Sequence, residues 1–115
     1  MNYEDKFEFG PLTVIRSSYA CPEAYSVYYE NNQIGYLRLR HGIFRVDYYP
    51  LQLHKIGVED SRETIYEACA MADGIFDDYE RNVTVTMALG LLRMKLDEEK
   101  KELDQNKSTQ GGQGK

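Results

Sequence analysis

The sequence contains few of the residues from which redox, zinc and histidine-dependent sites are built. Its 115 residues include only two cysteines and two histidines. Cys21 and Cys69 do not stand in a Cys-x-x-Cys spacing, so we expect two reduced thiols in a cytoplasmic protein rather than a zinc or redox motif. Neither His41 nor His54 has a serine or cysteine nucleophile beside it, so the sequence predicts that the protein is not an enzyme.

Long apolar runs are also missing. No segment approaches the roughly 20 apolar residues of a membrane-spanning helix, and no apolar run follows a basic start as in a secretory signal. The glycines between positions 35 and 90 stand alone, so no phosphate-binding loop is predicted. We therefore expect no membrane association and no cofactor.

Positive charge is in deficit. Lysine and arginine number 14 against 19 aspartates and glutamates, which gives a formal net charge of −5. General nucleic-acid binding draws much of its affinity from neutralising phosphates, so that function is disfavoured. The acidic residues are densest between positions 57 and 80, where Asp77, Asp78 and Glu80 lie close together. Their spacing does not match a calcium loop, so we predict no metal site and expect a solvated loop and helix start.

The sequence is instead rich in tyrosine, with ten tyrosines and no tryptophan. Many of them lie in alternating runs between positions 24 and 49, and tyrosine is favoured in strands. Asn31-Asn32 and His41-Gly42 separate these runs and are typical of two-residue hairpin turns. The pattern predicts an antiparallel meander of strands 24–30, 33–40 and 43–49.

Counting outward from these turns assigns the side chains to two faces, because successive residues of a strand point to opposite sides. The predicted core face carries Tyr28, Leu37, Leu39, Phe44, Val46 and Tyr48. The other face is aromatic and charged, with Tyr25, Val27, Tyr29, Ile34, Tyr36, Arg38, Arg45, Asp47 and Tyr49. A slip of one residue at either turn would exchange these sets.

A long amphipathic helix follows the strands. Asp77 with Glu80 resembles a capping box, and Asp78 adds negative charge at the helix start. Val85, Leu89, Leu92 and Leu96 form an apolar stripe with helical spacing, which Ala88 and Leu103 extend. We predict a helix from 78 to about 103, a single domain of residues 1–104, and a disordered polar tail of residues 105–115. The expected fold is α+β, with a sheet of three to five antiparallel strands and the helix on its core face.

Three interpretations of the aromatic and charged face stay open. It can be an exposed face of Tyr–Arg pairs without a partner, a protein-binding surface, or a site for a small anionic ligand or single-stranded nucleic acid. The residues on which binding would depend are Tyr25, Tyr36, Arg38, Arg45 and Tyr49. Because one helix covers only one face of a sheet, a homodimer would be another way to cover this second face.

Four short stretches resemble uncharacterised small proteins of phages and mobile elements of low-GC Gram-positive bacteria. They are residues 33–42 (QIGYLRLRHG), 44–46 (FRV), 63–66 (ETIY) and 73–76 (DGIF). The resemblance implies an accessory protein that binds a host protein and modulates or inhibits it. Some acidic proteins of this kind present carboxylates where phosphates would lie, which makes Asp77, Asp78 and Glu80 candidate binding residues too.

Overall fold

The computed structural model of the chain describes residues 6–51, 62–70, 74 and 76–113, with their side chains as far as Asp104. Its sheet contains six antiparallel strands in sequence order. The strands are β1 (Lys6–Phe9), β2 (Leu12–Tyr19), β3 (Glu23–Tyr29), β4 (Asn32–Arg40), β5 (Ile43–Tyr48) and β6 (Glu63–Cys69). One face of the sheet packs against the helix α1 (Asp78–Gln113). The α+β fold is confirmed, but six strands replace the predicted three to five.

The additional strands have weak sequence signals. Gly10, with a φ of +59°, and Pro11 form the turn that pairs Phe9 with Leu12, so β1 and β2 join the sheet as a hairpin. At the other edge, Tyr66 pairs with Val46 whereas Thr64 pairs with Asp47. The residue between them, Ile65, is therefore an extra one in β6, and this bulge interrupts the alternation by which a strand is recognised.

The hairpin between β4 and β5 has the predicted turn and register. His41 and Gly42 have φ values of +55° and +75°, as the two central residues of a type I′ turn require. Leu37 consequently pairs with Val46 and Arg38 with Arg45. The side-chain directions of β5, and of β4 from Gly35 to Arg40, follow from this one turn.

The hairpin between β3 and β4 differs from the prediction. Its turn residues are Glu30 and Asn31, with φ values of +48° and +69°, so the turn begins one residue early. A bulge at Ile34 follows, after which Tyr25 pairs with Leu37. The predicted position of Tyr25 on the charged face is therefore wrong, because the shifted register turns its side chain toward the core.

The same shift, with its bulge, moves four further residues between the faces. Val27 and Ile34 are completely buried in the core cluster, and Tyr29 packs against it. Tyr28, which was predicted to lie in the core, alternates with these residues and faces the other side. The predicted faces are thus correct for β5 and for β4 from Gly35 onward, and wrong for β3 and for Ile34.

The helix begins as predicted and covers the middle of the sheet. Asp77 Oδ1 accepts a 2.8 Å hydrogen bond from the N–H of Glu80, as a helix-capping carboxylate does. The predicted stripe is buried at Val85, Ala88, Leu89, Leu92 and Leu96, and Leu103 is half-buried. Gly35 lies so close beneath the helix that a Cβ on it would be 2.5 Å from Leu92 Cδ1.

The helix continues beyond its predicted end. The backbone is helical as far as Gln113, so the predicted end near position 103 is too early. The division into a domain of residues 1–104 and a disordered tail stays a prediction. No helix in the described part of the chain has both the length and the apolar character to cross a bilayer.

Candidate functional site

The face of the sheet opposite α1 is the candidate binding surface, and we call it the open face. Of the described elements, only α1 packs on the sheet, and it does so on the side of Leu37, Leu39 and Val46. Tyr36, Arg38 and Arg45 alternate with these core residues and are half-buried on the open face. The structure therefore brings together three of the predicted binding residues.

Positive charge is concentrated at one end of the open face. Arg38 lies directly opposite Arg45 in the register of β4 and β5. These two arginines line a shallow cleft with Arg40, His41, Ile43 and Glu67. The three arginines outnumber the single glutamate, and like charges directly opposite each other destabilise a strand pair. The cleft therefore favours an occupant that carries negative charge.

The two facing arginines differ in their partners. Arg45 Nε is 3.2 Å from Asp47 Oδ2, and Asp47 also accepts a 2.7 Å hydrogen bond from Thr64 Oγ1. The Arg38 side chain has no ion pair or hydrogen bond with a described residue. Its guanidinium donors therefore stay available for an acceptor from another molecule.

The two remaining tyrosines of the predicted site are not equivalent. Tyr49 is half-buried directly after β5, and its N–H donates a 2.9 Å hydrogen bond to the Ile34 carbonyl. Tyr25 is only 1% exposed and its hydroxyl donates to Glu23 Oε2 at 2.5 Å. Burial, followed by the hydrogen bond to Glu23, raises the pKa of Tyr25 above its ordinary value. Tyr25 is thus a core residue and leaves the candidate site.

Some residues of the cleft were not among those predicted. Arg40 follows Arg38 by two residues, and Ile43 pairs with Arg40 across the turn. Both could have been found from the sequence, since alternation and the correctly predicted turn place them on the same face. Glu67 could not, because its position depends on the pairing of β6, which its bulged pattern does not reveal.

The acidic residues at the start of α1 do not join this cleft. Asp77 caps the helix, and Asp78 Oδ1 is 2.7 Å from Arg81 Nη1. The side chain of Glu80 is half-buried. These residues belong to the helix layer, on the opposite side of the sheet from Arg38 and Arg45. Helix capping explains Asp77, and the ion pair with Arg81 explains Asp78. Neither carboxylate needs a partner molecule to account for its position.

A buried ion cluster joins the start of α1 to the sheet and was not predicted. Glu23 is 1% exposed, and Arg81 Nε donates to its Oε2 at 2.7 Å. The Phe76 N–H donates to Oε1 at 2.9 Å, and Arg16 Nη2 is 3.7 Å from Oε2. Burial acts to raise the pKa of Glu23, but the hydrogen bonds from Arg81, Tyr25 and Phe76 outweigh it and lower that pKa.

A second buried carboxylate holds the other half of the helix. The Tyr48 hydroxyl and the Leu51 N–H both donate to Glu99 Oε1, the latter at 2.8 Å. Burial, followed by the hydrogen bond to Glu99, raises the pKa of Tyr48. Both buried carboxylates have several donors each, so their charges are already used within the fold.

Comparisons with known proteins do not assign the chain to a family. No protein-family model, curated protein or solved structure matches the chain. Within the described residues, no group of three or more histidine, cysteine, aspartate or glutamate side chains is arranged to hold a metal ion. The open face, with its cleft of arginines, is therefore the surface from which a function can be inferred.

Proposed function

We propose that this chain is a non-enzymatic accessory protein that binds an acidic segment of another protein through the open face. Arg38 and Arg45 bind carboxylates of the partner, and Tyr36 supplies an adjoining aromatic surface. The observation that carries the proposal is the pairing of Arg38 with Arg45 across two strands, while Arg38 has no ion pair with a carboxylate of the described residues. A carboxylate placed between the two guanidinium groups would remove their repulsion and satisfy free donors.

The surroundings of the arginines favour a protein over a nucleic acid. Ile43 is 45% exposed at the edge of the cleft and gives it an apolar patch. Protein interfaces combine apolar, aromatic and arginine side chains, whereas nucleic-acid sites depend on many phosphate contacts. The net charge of −5 would oppose the approach of a polyanion and has less effect on a short acidic segment.

The resemblance to proteins of phages and mobile elements indicates what kind of protein the partner is. We propose that it is a protein of the host cytoplasm, which this chain modulates or inhibits by covering a surface. Tyrosine and arginine are the residues that most often dominate the binding energy of such surfaces. We therefore expect substitutions of Arg38 and Arg45 to weaken binding far more than substitutions of the acidic residues Asp77 and Asp78.

The recognition of acidic segments can be measured with a fluorescein-labelled polyglutamate peptide. Anisotropy titrations would compare the wild type with the double variant Arg38→Ala/Arg45→Ala and with the control Arg93→Ala. Arg93 is a half-buried helix arginine that pairs with Asp97, so its removal takes one charge from a different surface. Urea unfolding of each variant would verify that the fold is retained.

We expect the double variant to lose at least tenfold in affinity, equivalent to about 1.4 kcal/mol, and Arg93→Ala to bind like the wild type. Equal binding by all three proteins would contradict the proposal. A labelled oligothymidylate, titrated in the same way, tests the alternative ligand class. If oligothymidylate bound more tightly than polyglutamate and depended on Arg38 and Arg45, the open face would be a nucleic-acid site instead.

A further inference from the structure

The helix α1 carries a second apolar stripe on the side that faces away from the sheet. Tyr79 is 80% exposed, Val83 53%, Met87 37% and Met94 63%. At about 100° per residue, these four side chains fall within an arc of roughly 80°. The buried stripe that includes Val85, Leu89 and Leu92 is centred about 180° away. We call the exposed set the outer stripe.

A helix that lies on the surface of a monomer normally has polar residues on its outer side. Apolar stripes on two opposite sides are expected of a helix that lies between two layers. The sheet provides one layer over Val85 and Leu89, and the second is missing from the single chain as described. The outer stripe extends about 22 Å along the helix from Tyr79 to Met94, since the rise is about 1.5 Å per residue.

The outer stripe has a shallow depression at Gly90, because glycine has no side chain. Gly90 falls on the same side of the helix, between Met87 and Met94, and a Cβ on it would have no atom within 4 Å. A protruding methionine of a neighbouring helix can therefore fit against its backbone. A surface with bulky side chains on either side of a small residue can interlock with a copy of itself.

We propose that the outer stripe is the interface of a homodimer, in which two copies of α1 pack against each other in an antiparallel orientation. Charge decides the orientation. In a parallel pair, Glu80, which borders the outer stripe, would lie near its own copy, and the two acidic first turns of α1 would meet at the same end of the pair and repel each other. The antiparallel arrangement separates these acidic turns and also opposes the two helix dipoles favourably.

Charge also disfavours a dimer whose twofold axis passes through the arginine cleft of the open face. A twofold axis brings the same patch of both copies together, so the open face would place the cluster of Arg38, Arg40 and Arg45 against a second cluster of the same sign. No charged residue between Tyr79 and Met94 falls within the arc of the outer stripe, which Glu80 and Arg93 border on opposite sides. The dimer therefore has its two sheets on the outside, and both open faces stay accessible.

The size of the outer stripe predicts a dimer of moderate stability. Stable interfaces bury about 800 Å² per partner, and one helix face of this length provides less than that. We therefore expect the dimer to dissociate on dilution. Light scattering coupled to size exclusion, over a range of loading concentrations, would give the mass at each concentration.

The interface can be tested with charge substitutions of matched type. Val83→Glu and Met94→Glu together place like charges in the outer stripe, and we expect a monomer at every concentration. The control Ile43→Glu removes an exposed apolar side chain from the open face and should leave the dimer intact. A wild type that is monomeric at high micromolar concentration would overturn the proposal, and so would a dimer that only Ile43→Glu disrupts.

The orientation can be tested by cysteine cross-linking. In a background with Cys21→Ser and Cys69→Ser, the variant Met87→Cys places a thiol near the middle of the outer stripe, where the twofold axis of an antiparallel pair passes. We expect it to form an intermolecular disulfide under mild oxidation. Tyr79→Cys should not, because the antiparallel pair separates the two copies of this position by roughly 20 Å or more. A parallel pair would place both positions beside their own copies, so a disulfide in Tyr79→Cys as well as in Met87→Cys would contradict the proposal, and so would the absence of a disulfide in Met87→Cys.

Discussion

Arginines lie on both faces of the sheet, and the two faces hold them differently. On the covered face, Arg16 and Arg81 both reach the buried carboxylate of Glu23. On the open face, Arg38 lies opposite Arg45, and only Arg45 has a carboxylate near it among the described residues. Burial explains the difference, because a charge removed from water must be paired whereas a charge that still contacts water need not be.

The contrast separates two uses of charge in this protein. The cluster around Glu23 connects β2, β3 and the first turn of α1, so its charges specify how the helix docks. On the open face, Arg45 reaches only Asp47 of its own strand, and Arg38 has no ion pair or hydrogen bond with a described residue, so these arginines do not fix how two elements of the fold pack. Substitutions should therefore affect stability on the covered face and binding on the open face.

The largest effect is expected for Glu23→Gln. The amide keeps the shape of the side chain but removes its charge, and its NH₂ group would face the donors of Arg81, Tyr25 or Phe76. Arg81 would then be a buried cation without its main partner, which costs about 3 kcal/mol of the free energy of unfolding. Urea unfolding at neutral pH measures this loss.

The matched control for that experiment is Glu67→Gln. Glu67 is exposed and lies beside the arginine cleft of the open face. The same chemical change there should alter the free energy of unfolding by no more than about 0.5 kcal/mol. Equal losses of unfolding free energy in Glu23→Gln and Glu67→Gln would contradict our explanation that burial makes the charge of Glu23 essential to the fold.

Acid should weaken the covered face through the same carboxylate. The pKa of Glu23 in the folded chain is below its ordinary value of 4.5, so the unfolded chain takes up this proton first as the pH falls. The contribution of Glu23 is complete above that value and is lost as the pH falls through the folded pKa. In a series of urea unfolding curves, the wild type should therefore approach Glu23→Gln in stability toward low pH. A constant difference between them would contradict the assignment.

Two glycine-to-alanine substitutions compare the inner and outer sides of the helix. A Cβ at Gly35 would lie 2.5 Å from Leu92 Cδ1, so Gly35→Ala should destabilise the fold by about 1–3 kcal/mol. At Gly90 the Cβ has open space, so Gly90→Ala should stabilise the helix by about 1 kcal/mol. In thermal unfolding of dilute protein, the Tm should fall for Gly35→Ala and rise for Gly90→Ala. Shifts of the same sign would contradict the described packing of the two glycines.

The sequence predicts those parts of the fold that depend on one strong local signal. The turn at His41 and Gly42 determines the register of β4 and β5, and the capping residue Asp77 determines where α1 begins. The turn after β3 was misplaced because Asn31-Asn32 looks more favourable than the actual pair Glu30-Asn31, and the bulge at Ile34 has no local signature. An error of one residue in a turn exchanges the two faces of a strand.

The same reasoning explains which site residues could be predicted. Arg38 and Arg45 depend only on the hairpin with the strong turn signal, and the structure places both on the open face. Tyr25 depends on the other hairpin and is buried. Glu23 could not be foreseen, since it is a carboxylate at a core position whose partner Arg81 is distant in the sequence and meets it only after the helix has docked.

The smallest effect on stability is expected for Arg38→Ala, and this variant also distinguishes the two faces most sharply. Its side chain has no ion pair or hydrogen bond with a described residue, and its removal relieves the repulsion with Arg45. The free energy of unfolding should change by less than about 0.5 kcal/mol, and relief of the like-charge repulsion would make that change a small gain.

Arg81→Ala, measured beside it by urea unfolding, should lose several times as much because it leaves Glu23 buried without its main cation. Polyglutamate binding should change in the opposite order, falling in Arg38→Ala and staying unchanged in Arg81→Ala under conditions in which that variant is folded. If Arg38→Ala destabilised the fold as much as Arg81→Ala, the open-face arginines would be structural and the proposed binding role would lose its basis.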